Sequence, residues 1–263
     1  MKPSITWAEN LIKKIFVLLF WLGLWQILAL KIGKEVLLAS PAATMQALIS
    51  LVGESAFWHT ITFSIVRIAA GFVLGITAGL VLAALSARLE RIRLLLSPFL
   101  YAVKAAPVAS FIILALLWVS GKNLSVFISF LMAMPIVYSN MLQGFMNVDK
   151  KLLEMAAVFR MSAKNKALYI YLPRVLPYFT AACTTALGLC WKSGIAAEVI
   201  GLPQGSIGDR LYSTKLYLDT SGTFAWTLVI IIISMAAEKL FLKALDAVNS
   251  RISRGFLTRK GGR

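Results

Sequence analysis

Six apolar runs decide what this chain of 263 residues can become. They fall at about 15–30, 60–85, 94–119, 124–142, 178–200 and 224–242. Each approaches or exceeds the roughly 20 helical residues that cross a hydrocarbon core about 30 Å thick. Lipid offers no water to satisfy backbone N–H and C=O groups, so each run is predicted to be a helix. The predicted fold class is therefore all-α, a polytopic membrane protein with about six transmembrane helices. Composition agrees: 59% of residues are hydrophobic and 14% charged, against roughly 45–50% and 25% in soluble domains. Pro98 and Pro107 are predicted to interrupt the third run, and Pro135 lies inside the fourth. The first run is short and follows Lys13 and Lys14, as a cleaved signal would. Trp21, Trp25 and Gln26 make a poor signal core, so it is read as a retained span.

Charge sets the predicted orientation. Of the 27 Lys and Arg, nineteen fall in segments on the side of the N-terminus. Five fall on the other side (Lys31, Lys34, Lys122, Arg210, Lys215), and Arg67, Lys104 and Lys192 lie within runs. Positive residues stay inside, which predicts that both termini are cytoplasmic. The same distribution accounts for the net charge of +16 without nucleic acid as a partner. The basic tail, 246–263, is predicted to lie on anionic lipid.

Catalytic chemistry is not indicated. Cys183 and Cys190 sit seven apart in one run, about 10 Å along a helix and too far for a disulfide. His59 is the only histidine and no metal cluster is formed around it. A Gly-rich Lys-Ser/Thr phosphate loop is missing from the sequence, so the chain is not expected to hydrolyse ATP itself.

One connecting segment is too long and too patterned for a simple loop. Residues 149–177 read DKKLLEMAAVFRMSAKNKALYIYLPRVLP. Leu152, Leu153, Met155, Ala156 and Phe159 fall on one face at helical spacing. Ser162 is a candidate cap for a second short helix at 163–168, and Pro173 and Pro177 restart the chain into the fifth span. A helix–turn–helix with an apolar face, pinned between two spans, is suited to docking into a partner.

Glu154 with Ala156 and Ala157 at its start, and Leu172-Pro173 at its close, make this segment resemble the EAA loop of ATP-binding-cassette (ABC) importer permeases. Arg160 stands where that motif carries glycine, and an arginine fits a helical turn. The resemblance extends over roughly 58–245. It includes Arg67 with Gly71, Gly75 and Gly79; Ser97-Pro98; Lys104 with Ala106-Pro107; Trp118; Pro135 with Asn140, Gly144 and Asp149; Trp191 with Ala197-Glu198; and Gly205 with Gly208. In this respect the chain is most similar to the nitrate/sulfonate/taurine-type permeases.

The resemblance implies a type I ABC importer permease-like fold in the bacterial cytoplasmic membrane. Residues 1–57 would hold the N-terminal cytoplasmic segment, the first helix and an outer linker. Residues 58–245 would form the permease domain with its coupling loop at 149–177. It implies two ABC ATPase subunits carrying ATP and Mg, a second permease copy in a homodimer, and an extracytoplasmic solute-binding protein; no cofactor is expected in this chain. Glu154, Ala156, Ala157, Phe159, Arg160 and Ser162 would meet the ATPase. The solute would be small, in some relatives anionic, such as nitrate, a sulfonate, bicarbonate, an aromatic acid or a vitamin precursor.

Charges inside spans cost roughly 2.5–3.5 kcal/mol at mid-membrane and usually face a cavity or a partner. Lys192 either lines the pathway or forms a fixed pair with another helix. Lys104, beside Pro107, is a structural or gate residue, and Trp191 is a further pathway candidate. Glu198 is placed near the outer mouth, as part of a gate or a binding-protein dock. Gly71, Gly75 and Gly79 are predicted to let a second helix approach closely. An ion-gradient-driven transporter or a membrane scaffold are the rival readings; neither needs a long helical cytoplasmic segment.

Overall fold

A computed structural model describes the backbone of residues 4–258 and the side chains of residues 12–247. Lys2 and the distal part of the basic tail expected at 246–263 lie outside the described residues. Among those described, every regular element is helical. In order they are α1 (Ser4–Ile32), α2 (Pro41–Val52), α3 (Ser55–Arg88), α4 (Glu90–Ala105), α5 (Val108–Ala115), α6 (Gly121–Met146), α7 (Lys150–Val158) and α8 (Ala163–Lys166). A π-helical stretch, Ala167–Tyr171, leads into α9 (Leu172–Gly201), followed by α10 (Ile207–Leu216) and α11 (Thr220–Thr258).

Ile12–Ile32, Ser55–Arg88 and Gly121–Met146 are each long and apolar enough to cross a membrane. The pair α4 and α5, bent by 106°, is long and apolar enough only when the two are taken together, as a broken span or a re-entrant loop. Helices α9 and α11, of 30 and 39 residues, exceed the core thickness at about 1.5 Å per residue. The predicted interruptions of the third span differ in kind. Pro98 is absorbed inside α4. The chain breaks at Pro107, because the residue before a proline is pushed out of helical geometry. Ala106 accordingly has φ −76° and ψ 141°.

Helix α6 is the centre of the bundle, with α3 on one flank and α9 on the other. The predicted glycine face of α3 meets α6. A Cβ added at Gly75 would lie 2.5 Å from the Ala133 Cβ, and one at Gly79 2.8 Å from the Met134 carbonyl oxygen. No side chain fits in either place. The opposite flank is stapled by reciprocal bonds: Cys190 Sγ donates to the Ser129 carbonyl (3.2 Å), and Ser129 Oγ donates to the Cys190 carbonyl (3.4 Å). Both cysteines are buried and unpaired in this packing.

Helix α1 stands at the rim with apolar residues on all sides, as a lipid-facing helix does. It docks through Trp25, whose Nε1 donates to the Ala39 carbonyl (3.0 Å) and whose ring lies 5.4 Å from that of Phe224. Helix α10 folds back into the end of the bundle where α9 finishes, burying Ser206, Ile207 and Gly208.

Candidate functional site

The segment between α6 and α9 has its own small core. Val148, Ala156 and Ile170 are buried, with Leu152, Leu153, Met161 and Tyr171 packed against them. The two short helices are capped locally. Asp149 accepts from the Lys151 amide (2.9 Å), and Ser162 accepts from the Asn165 amide (3.3 Å), as a cap residue does. The second helix ends at Lys166 and continues as the π-helical stretch.

The apolar face expected here turns out to be two faces. Leu152, Leu153 and Ala156 point into the small core, which removes Ala156 from the outer surface. Met155 and Phe159 point out, joined by Val158, which periodicity alone had not singled out. Val158 is 79% and Phe159 74% exposed, an unusual presentation for large apolar side chains. Glu154, Ala157, Arg160 and Ser162 are exposed beside them.

Arg160 corrects the expectation of a helical turn. Its φ is +49°, in the left-handed region. The Met161 amide donates to the Ala156 carbonyl (2.9 Å) and the Arg160 amide to the Ala157 carbonyl (3.0 Å). Those two bonds define a Schellman stop, whose left-handed position is usually glycine. The glycine of the motif therefore has a backbone reason, and this chain meets it with an arginine.

A second cluster closes the far end of the bundle. Glu198 on α9 is fully buried. Its Oε2 accepts from Ser64 Oγ on α3 (2.7 Å) and from the Gly208 amide at the start of α10 (3.3 Å). Ser64 Oγ in turn accepts from the Ile207 amide (2.9 Å). One carboxylate thus ties α3, α9 and α10 together. A Cβ at Gly208 would collide with the Glu198 side chain and backbone, so glycine is needed for this approach. Glu198 Oε1, Ser125 Oγ and Arg67 Nη1 are buried here without a hydrogen-bond partner among the described residues, as is Trp191 Nε1 elsewhere on α9. Arg67 lays its guanidinium 4.2 Å over the Phe63 ring. Ser64 and Gly208 escaped sequence reasoning as partners of Glu198, because three separate elements have to pack before they meet.

Lys192 is on the opposite face of α9, exposed and without a hydrogen bond or ion pair among the described residues. The face it shares carries Ala181, Thr185 and Gly188. A Cβ at Gly188 would meet nothing within 4 Å. The outward residues of α3 are of another kind: Val66, Val73, Leu74 and Val81. That aliphatic row suits lipid, whereas small residues, hydroxyls and a lysine suit water or another helix.

Lys104 lies in the last turn of α4 and donates from Nζ to Ser139 Oγ on α6. The two line a cavity of about 470 Å³ between α4 and α6 that reaches Arg93 and Asn147 at the end carrying the α6–α9 segment. Trp191 is buried in the main core and lines none of these surfaces.

Residues 71–254 match the family model described as "Binding-protein-dependent transport system inner membrane component". The chain is 24% identical over 242 residues to SsuC of Bacillus subtilis (strain 168), named for aliphatic sulfonates transport, covering 91% of this chain and 86% of that protein. It is 23% identical over 228 residues to the taurine transport system permease protein TauC of Escherichia coli (strain K12), covering 84% and 82%. A crystal structure of an amino acid ABC transporter with histidines matches with a TM-score of 0.56 at 17% identity, over 79% of this chain and 94% of that one.

Proposed function

We propose a mechanism on the premise that this chain belongs to the family of binding-protein-dependent transport system inner membrane components. It is an inner-membrane permease of the sulfonate/taurine/bicarbonate type of ABC importer. In the proposed assembly two copies face each other across the Lys192 side of α9, and the solute passes between them. Two ATPase subunits bind the segment 149–177 from the cytoplasm, where both termini also lie. ATP and Mg reside in those subunits. A solute-binding protein delivers to the opposite end, over α10.

The observation that carries this reading is the apolar knob of Met155, Val158 and Phe159. It is exposed, backed by its own core, and joined directly to α9. Apolar side chains presented on a rigid base are what a partner's groove takes up. Closure of the ATPase pair would move the knob, and α9 would carry that motion to the Lys192 face and to the Glu198 cluster. There Glu198 serves as a latch of the outer end: buried as it is, it holds α10 rather than touching the binding protein. The Lys192 face favours a small solute with negative charge.

Phe159→Asp tests the reading. The variant should reach the membrane at normal levels, lose the ATPase during purification and lose transport. An ATPase that co-purifies with Phe159→Asp and still drives uptake would overturn it.

A further inference from the structure

The cavity between α4 and α6 has a use that the coupling and latch devices leave unfilled. Lys104, exposed at the end of α4, lines it at the end away from Arg93. The last turn of α4 places the ammonium near helix carbonyls, which favours a cation there. An ammonium has three donors, and Ser139 Oγ, a neutral acceptor, takes one. No carboxylate lines the cavity among the described residues. Arg93, at the other end, is already met by Glu90 (2.8 Å) and leans on Met146 Sδ (3.4 Å). The Arg93 end is therefore close to neutral and the Lys104 end is cationic. Ser97 and Tyr138 add polar groups, while Tyr101 and Leu142 add aromatic and aliphatic wall. A volume of about 470 Å³ falls within the roughly 300–1,000 Å³ of small-molecule sites. A bare inorganic ion would leave most of it wet.

We propose that this cavity binds a small organic anion, its charged group on Lys104 and its apolar body against Tyr101 and Leu142. The assignment rests on the chain conducting a solute, and it adds an inner station to the Lys192 face. Lys104 and Lys192 are then two successive cationic stops, on different helices and at different depths. The same anionic group could belong to a lipid headgroup, and the test separates the two.

The full-length chain in nanodiscs of neutral phosphatidylcholine is dialysed to equilibrium against radiolabelled butanesulfonate. Saturable binding is expected, weakened about tenfold in Lys104→Met, since a charge-assisted contact is lost. Lys104→Arg should keep affinity within about threefold, because charge and donors remain. Lys239→Met, exposed on α11 and outside the cavity lining, should leave this binding unchanged, and butylammonium should not compete. Unchanged binding in Lys104→Met, or binding lost only in Lys192→Met, overturns the site. Displacement by phosphatidylglycerol in the bilayer makes it a lipid site and overturns the solute assignment.

A second measurement holds if Lys104→Met fails to fold. Tyr101→Cys keeps Lys104, and the native cysteines are buried. A sulfonate-bearing methanethiosulfonate should modify it about threefold or more faster than a trimethylammonium one, as a local positive potential requires. Equal rates overturn the proposal. Butanesulfonate binding that persists in Phe159→Asp while transport and ATPase coupling also persist would instead overturn the coupling reading and leave this site standing.

Discussion

Arg160 shows how much one backbone angle can demand. A left-handed turn costs a residue with a Cβ about 1–2 kcal/mol, and Arg160 holds φ +49°. Arg160→Gly should therefore raise stability by about 1 kcal/mol after the entropy of the freer unfolded chain is counted. Thermal unfolding in detergent reads the change, and a lower midpoint would mean that the guanidinium makes a contact worth more than the strain. Glu198 makes the opposite kind of demand. Glu198→Ala leaves the buried Gly208 amide and the Ser64 hydroxyl without an acceptor, at a cost of about 1–3 kcal/mol per orphaned group. Glu198→Gln keeps an acceptor and should lose less. A cysteine at position 206, buried in the native chain, should become reactive in the alanine variant and stay protected in the glutamine one. The cap at Ser162 was legible in the sequence because its partner Asn165 is three residues away. The surroundings of Glu198 were not, because Ser64 stands 134 residues off and the contact exists only when three elements have packed.

At the scale of elements, proline and glycine did most of the specifying. Pro107 breaks the third span and Pro98 does not, although both are prolines in an apolar run. Pro98 sits in the middle of α4, where neighbouring groups can satisfy the backbone it frees, while a proline that follows an extended residue ends the helix. The glycines of α3 were readable as a close-approach face, but not their partner, since any of the spans could have filled it. Gly75→Val sets a branched side chain against Ala133 on α6. Overpacking of this kind costs about 1–3 kcal/mol, and here both sides are helix backbone. The variant should lose its folded population in detergent; Gly188→Val, on the open face of α9, should fold as well as the native chain. Equal loss in both would mean that the α9 face is packed as tightly as the seam.

For the whole molecule, orientation is the property on which the rest depends. The imbalance of positive residues predicts that the α6–α9 segment lies inside and α10 outside. Impermeant thiol labelling in intact cells should reach cysteines at 122 and at 203–220, and reach position 160 only after the membrane is opened. Labelling of position 160 from outside would invert the assembly and detach the ATPase from its proposed seat. The all-helical plan with several apolar helices was legible because a hydrocarbon core accepts so few alternatives. The two-faced segment at 149–177 was less so, because 3.6-residue periodicity ranks residues by face and is silent on which face a small local core will claim.

The π-helical stretch at Ala167–Tyr171 sets an angular relation between the two ends of this device. A π turn accommodates one residue more than the α-helix it interrupts. Each residue of α-helix advances the chain by about 100° and 1.5 Å. The stretch takes up that extra residue locally, so deleting one residue between 167 and 171 would let it close as ordinary α-helix, whereas the same deletion in the regular turns of α9 would swing the Val158–Phe159 knob about the α9 axis by about that angle. In the proposed coupling, the direction in which a pull on the knob is delivered to the Lys192 face is thus fixed by counting residues, like the indexing of a key on its shaft. A chain one residue shorter in those turns could carry every contact residue named above and still transmit the stroke to the wrong side.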